Sequence, residues 1–387
     1  MTTKTKEKKG LAMTHDQAAA VQTLHEFLKE GRPLITLGGF AGTGKTTSIV
    51  EFVRQINGKD RPAIAFCAFT GRAASILRGK LEKEGILELE DYCGTIHGLI
   101  YKPVVSRGVI IRWERRAAGD MAWDLIIVDE GSMVNETIFN DLKSYEKPII
   151  VVGDHGQLPP IDGAFNLMAS PEIRLEKIHR QAEGDPIVRL SMIVREGGKI
   201  PLGRHGEFVS KTSDRKVLDR VPELEDVMIL CGYNRTRVGL NTYVRQRLGR
   251  QGAVPEVGEK IICLKNNKNA LIYNGMLGIV KEVSDGDKEH IVIEADMEGG
   301  QKFTGTAYRP QFGAEKTMKA KDKQDAGRMG DLFDFGYAMT VHKSQGSEAR
   351  RVVVFEEQMP YMSPEDYKRW LYTAVTRAKE RLLVIGT

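Results

Sequence analysis

Residues 39–46, GFAGTGKT, constrain this chain more than any other short stretch. They fit the G-x-x-x-x-G-K-[ST] phosphate loop. Its glycines let backbone N–H groups turn inward around phosphate oxygens, and the helix that follows adds its positive N-terminal end. Such a loop needs a buried strand before it and a helix after it. "PLITLGG" (33–39) and "KTTSIVEF" (45–52) supply both. The cradle comprises Gly42, Thr43, Gly44, Lys45, Thr46 and Thr47. Lys45 is expected to reach the β- and γ-phosphates, and the Thr46 hydroxyl to hold Mg²⁺.

Similar apolar runs recur at 63–69, 123–130, 147–154, 227–234, 350–357 and 381–386, with helical patterns between them. Continuous apolar strands alternating with helices predict a parallel sheet covered on both faces. At 387 residues the chain exceeds one ordinary core. Two α/β cores fit better than one very large sheet. "KPVVS" and "VIIRW" predict a β-hairpin turning at Arg107-Gly108, within about residues 98–120. From 253 the chain becomes β- and loop-rich, with Asn274-Gly275 as a turn signal. The charged stretch 313–330 reads as a mobile loop. The expected division is a flexible tail (1–10), a first core (11–180), a second core (181–252 and 331–387) and a β insert (253–330).

The balance of 57 Lys plus Arg against 52 Asp plus Glu permits a nucleic-acid partner without requiring one. Four widely spaced cysteines, with no C-x-x-C pair, predict reduced and mostly buried thiols. The basic start has no apolar stretch of signal-peptide length, and no run approaches the ~18 residues of a membrane span. A cytoplasmic protein with no membrane partner is expected.

The phosphate loop calls for an acid at the end of another buried strand. "LIIVDEGSM" offers Asp129 to coordinate Mg²⁺ and Glu130 to polarise the attacking water. A GTPase should carry N-K-x-D, and "NNKN" (266–269) lacks the Asp. "FDFG" (333–336) imitates a protein-kinase signature, but no H-R-D-x-x-x-x-N precedes it. In "VVGDHGQLPP" (151–160), Gln157 sits on a Pro-stiffened loop placed to sense the γ-phosphate. Arg180 in "KIHRQ" and Arg377 in "LYTAVTRAKE" lie far along the chain. Arg377 is useful only if the second core folds back over the first, with ATP in the cleft between them.

In this order, "THDQAAAV", "GFAGTGKTT", "AFTGRAA", "GTIHGLI", "VDEGSM", "GDHGQLPP", "IHRQ", "TVHKSQG" and "YTAVTRAK" resemble the motifs of superfamily-1 DNA helicases, in the RecD/Dda-like 5′→3′ branch. The resemblance runs from about Thr14 to the C-terminus. Gly131 replaces the commoner Ala after Asp-Glu, and His155 takes a position often held by Pro. By resemblance the fold is two RecA-like P-loop cores, with a β-hairpin pin and a small SH3-like β-barrel insert. Gln17 would read the adenine edge, and Glu348 joins the nucleotide-binding set. Arg180 and Arg377 would contact the γ-phosphate. Thr70, Thr95, His97, Thr340, His342 and Lys343 would face single-stranded DNA, and Trp113 on the hairpin would meet the last base pair.

The resemblance implies a monomeric, MgATP-dependent helicase acting on single-stranded, forked and tailed DNA in replication, repair or recombination. A single-strand-binding protein is a further partner it allows. A translocase that strips proteins from single strands, an ATPase subunit of a larger recombination nuclease, and an RNA track remain open alternatives.

Overall fold

The computed structural model describes residues 13–387 apart from 57, 59–60, 107–108, 161–164, 178–183, 198, 222–225, 268–269, 271, 321–327 and 361. The expected tail, the hairpin's Arg107-Gly108 turn and Arg180 lie outside the described residues.

The first core runs through α1 (His15–Lys29), β1 (Leu34–Gly39), α2 (Lys45–Gln55), β2 (Ile64–Ala68), α3 (Gly71–Glu84), β3 (Tyr92–Thr95) and α4 (Ile96–Ile100). The hairpin strands β4 (Tyr101–Ser106) and β5 (Val109–Arg115) follow, then β6 (Leu125–Asp129), α5 (Glu136–Lys143), β7 (Ile149–Gly153) and β8 (Ile173–Leu175). Six of these strands form one all-parallel sheet in the order β3-β2-β6-β7-β1-β8. Every residue of β2 and β7 is buried, as helices on both faces require. Leu24, Phe27, Phe52 and Leu81 cover one face; Ile96, Ile100, Phe139 and Leu142 cover the other.

The second core begins with α6 (Pro186–Arg195), β9 (Gly203–Arg204), β10 (Val209–Thr212), β11 (Val227–Cys231) and α7 (Asn234–Arg247). The chain then leaves it for β12 (Lys260–Cys263), β13 (Leu277–Asp285), β14 (His290–Met297), β15 (Lys302–Tyr308) and β16 (Phe333–Phe335). It returns as β17 (Ala338–Thr340), β18 (Ala349–Phe355), α8 (Pro364–Val375) and β19 (Ala378–Ile385). The second sheet has the order β17-β11-β18-β19-β10-β9, parallel except for the short edge strand β9. Trp370 and Leu371 of α8 pack with Leu190 and Val194 of α6 against Val352, Val354 and Val384.

The β-rich segment is an antiparallel sheet in the order β15-β14-β13-β12-β16, filled by Val280, Ile291, Ile293, Phe303 and Phe333. A bridge from Ala307 to Asp331 brings β15 toward the segment before β16. Phe333–Phe335 pairs with Lys260–Cys263, so the insert's sheet runs past the boundary expected at residue 330. The 313–330 stretch is not loose throughout. Arg237 donates to the carbonyls of Ala314 (2.7 Å) and Glu315 (3.2 Å), and Met318 N donates to Gln311. Backbone carbonyls anchor what its polar composition suggested was free.

Asp334 of the kinase-like tetrapeptide is fully buried, ion-paired with Arg237 and capping the N–H groups of Gly313 and Phe335. That is a structural role. All four cysteines are free and buried. No helix among the described residues is long and apolar enough to cross a membrane.

Candidate active site between the two cores

The phosphate loop turns through Gly42 (φ 80°) and Gly44 (φ 83°), left-handed conformations that disfavour a side chain. Thr43 Oγ1 donates to the Phe40 carbonyl at 2.9 Å, which tightens the turn. Lys45 Nζ donates to the carbonyls of Gly39 (2.7 Å) and Phe40 (3.1 Å) and lies 3.9 Å from Asp154 Oδ2. Neutral carbonyls are weaker partners for an ammonium than phosphate oxygens, so Lys45 is held at the loop and remains exchangeable.

Gln17 lies against the phosphate loop. Its Oε1 accepts from Thr14 N (2.9 Å) in a capping box, and its Nε2 donates to the Thr43 carbonyl (3.2 Å). At 1% exposure it braces α1 against the phosphate loop.

Asp129 and Glu130 end β6 beside this loop. Asp129 Oδ1 accepts from Glu130 N at 2.9 Å. Glu130 has φ 55°, a left-handed backbone that is unusual for a residue with a Cβ. Burial and the neighbouring Asp129 push its carboxyl pKa up, while Arg377 and Lys45 pull it down. The Gly at 131 has a steric cause: a Cβ there would sit 2.3 Å from Val151 Cγ1.

The second core reaches the loop through residues that motif spacing alone did not single out. Tyr372 Oη accepts from Ala41 N (2.9 Å) and donates to Asp154 Oδ2 (2.8 Å). Thr373 Oγ1 accepts from Leu158 N, Gln345 donates to the Leu158 carbonyl, and Leu158 itself enters the second core's apolar cluster. Phe40 lies between the His155 ring (centroids 4.0 Å apart) and the Arg195 guanidinium (3.8 Å). Tyr372, Thr373, Asp154 and His155 do lie inside stretches the motif order marks. What the sequence lacked was any sign of which motif residues meet across the cleft.

Arg377 is 4% exposed, and its guanidinium donates to the carbonyls of Thr373 (3.0 Å) and Ser347 (3.2 Å) and to Thr376 Oγ1 (3.3 Å). Among the described residues no carboxylate lies within 4 Å of it. A buried cation with no carboxylate in contact is costly unless an anion completes the site. Gln157, 6% exposed, leaves its Oε1 without a partner, as do the buried Ser132 and Ser347 hydroxyls. The two hydroxyls can donate to an anion, and the Gln157 oxygen can accept from a water. Glu348 pairs with Lys379 at 3.0 Å.

The residues expected to face DNA sit at the C-terminal ends of parallel strands. Thr70 caps α3 through Ala73 N (3.1 Å) and Thr95 caps α4 through Gly98 N (3.0 Å), so both hydroxyls also serve as helix caps. His97 is exposed beside Phe69 and Tyr101. Thr340 is buried at the end of β17, and burial lowers the pKa of both His342 and Lys343. Trp113 on β5 is 43% exposed.

Two family models match the chain: "AAA domain" over residues 12–218 and "UvrD-like helicase C-terminal domain" over 335–385. The ATP-dependent RecD2 DNA helicase of Deinococcus radiodurans is 28% identical over 99% of this chain and 50% of its own length. The RecBCD enzyme subunit RecD of Mycolicibacterium smegmatis is 27% identical, covering 91% of this chain and 68% of its own. The ATP-dependent DNA helicase Dda of phage T4 is 25% identical, over 95% of this chain and 98% of its own. The chain thus spans only half the length of the RecD2 relative. The crystal structure of a Bacteroides Pif1 helicase with ADP-AlF3 and single-stranded DNA superposes with a TM-score of 0.59 at 18% identity, over 97% of this chain and 93% of that one. That likeness supports the reading of the two parallel sheets as RecA-like cores. The chain belongs to the AAA domain family.

Proposed function

We propose that this protein is an ATP-dependent DNA helicase that translocates 5′→3′ on single-stranded DNA and unwinds duplex DNA. The observation that carries this reading is Arg377: a buried guanidinium from the second core, bonded to neutral oxygens, whose charge opposes the burial that raises the pKa of Glu130 in the first. Relatives named as ATP-dependent DNA helicases, and a Pif1 structure holding ADP-AlF3 and single-stranded DNA, support it.

In this reading Lys45 and the loop N–H groups bind the phosphates, and Gln157 and Arg377 meet the γ-phosphate. Thr46 and Asp129 would hold Mg²⁺, which would supply neutralisation of phosphate charge. Glu130 orients the attacking water. Tyr372, bonded to both Ala41 and Asp154, makes the second core's position depend on the loop's state. Alternation of the cleft between closed and open then moves the cores stepwise along a strand held at Thr70, Thr95 and His97 on one side and Thr340, His342 and Lys343 on the other. Phosphate contacts of this kind are sequence-tolerant. The β4–β5 hairpin is read as the strand-separating pin and the antiparallel insert as an SH3-like barrel.

Arg377→Lys tests the reading. Lysine keeps the charge and loses the planar fork, so DNA-stimulated ATP hydrolysis should fall by roughly 10³-fold, the lower range for such arginines. Near-normal hydrolysis in this variant would assign Arg377 to packing alone.

A further inference from the structure

The start of α3 is where the two cores and the insert meet. A Cβ on Gly71 would lie 2.1 Å from Tyr273 Cγ, so glycine lets the insert's ring seat against the helix. Arg72, 7% exposed, donates to Glu298 Oε1 at 2.7 Å and to the Gly275 carbonyl at 3.3 Å. Leu277 N donates to the other Glu298 oxygen (3.1 Å), which fixes the carboxylate. On its other side α3 meets the second core. A Cβ on Gly346 (φ +72°) would lie 3.0 Å from Ala73 Cβ. The next residue, Ser347, accepts from Arg377.

A continuous run of contacts therefore leads from Arg377 through Ser347 and Gly346 to α3, and from Arg72 to Glu298. Burial lowers the Arg72 pKa, Glu298 opposes that, and the charge on Arg377 adds to it, so the two guanidiniums feel one another. The insert departs from the second core after α7 and rejoins it at β17. Any movement of the second core against the first thus loads the Arg72–Glu298 pair. A cavity of about 350 Å³, bordered by Arg72, Asp226, Lys260, Glu298 and Glu348, leaves room beside the pair for that movement.

Resting on the helicase reading, we propose that Arg72 and Glu298 form a latch that ties the insert to the first core according to the nucleotide state at Arg377. Arg72 is a positioning residue. With the cleft closed the latch holds the insert beside Thr70 and lengthens the strand's stay; with the cleft open it is strained and the strand is released.

The test is the lifetime of the protein on fluorescent oligo-dT, measured with and without a non-hydrolysable ATP analogue. The wild type should show a longer lifetime with the analogue. Glu298→Arg should reduce the ratio of the two lifetimes by about tenfold, a typical coupling between sites. Glu298→Gln, which keeps the shape, should reduce it less and retain the wild-type kcat for DNA-stimulated ATP hydrolysis. The exchange Arg72→Glu/Glu298→Arg should restore most of the ratio, which a merely destabilised fold would not do. Wild-type ratios in both Glu298 variants would overturn the latch and leave the helicase reading standing. A wild type that neither binds the strand nor hydrolyses ATP would overturn that reading, and the latch with it.

Discussion

Glu130 combines two costs in one residue. Its left-handed backbone (φ 55°, ψ 43°) is disfavoured by roughly 1–2 kcal/mol in an L residue. Its carboxyl group is buried next to Asp129, and that raises its pKa. A carboxyl with a raised folded-state pKa binds its proton more readily in the folded protein than in the unfolded chain. Its contribution to stability is therefore fully present at pH below its ordinary value, and is lost as pH rises from there through the raised value. Glu130→Gln removes this loss. The variant should melt at a higher temperature than the wild type at pH 7, and the gap should close as pH falls from the raised value to the ordinary one. Its ATP turnover should be abolished with nucleotide binding retained. Thermal midpoints of both proteins between pH 7 and 4 check this. A wild type that melts above the variant at pH 7 would mean that Lys45 and Arg377 outweigh burial.

At the scale of elements, the hairpin shows how a marginal unit is made firm. Two strands alone are barely stable in water. The base of this pair is closed by Arg116 N donating to the Ile100 carbonyl (2.8 Å) and by Tyr145 Oη, 2.9 Å from the carbonyls of Ile100 and Arg116. Tyr101 donates to Asp141 near the end of α5, and Arg115 to Ser144 Oγ at 2.7 Å. Among the described residues, the hairpin is rooted in the first core and contributes none of the side chains placed at the phosphate loop. Replacing residues 103–113 by a short Gly-Ser link, with Tyr101 and Arg115 kept, should leave single-strand-stimulated ATP hydrolysis within about twofold and remove duplex unwinding. If the shortened protein unwinds like the parent, another element splits the duplex.

For the whole molecule, the long apolar runs made most of the two sheets legible: β1, β2, β6, β7, β11, β18 and β19 all fall on stretches whose composition already required burial. Strands of two to four residues, such as β3, β8, β9, β10 and β17, are too short to show a period and appear only once their neighbours are in place. Part of the candidate site was legible because Lys45, Asp129 and Glu130 are tied to their own strands and loop. The brace that Gln17 makes was not legible, because a buried amide gives the same letter whether it faces a base or braces a loop. Tyr372, Asp154 and Arg72 matter through partners hundreds of residues away or in another sheet, and local sequence carries no trace of such pairings.

Strand displacement on tailed duplexes, with ATP and Mg²⁺, tests the central claim most directly. The substrates are DNA duplexes with a 5′ tail, a 3′ tail or a fork, set beside RNA-tailed counterparts. The account predicts displacement from 5′-tailed and forked DNA and none from 3′ tails. Displacement from 3′ tails alone would contradict the assigned direction, and ATP hydrolysis without displacement on any substrate would contradict the helicase itself.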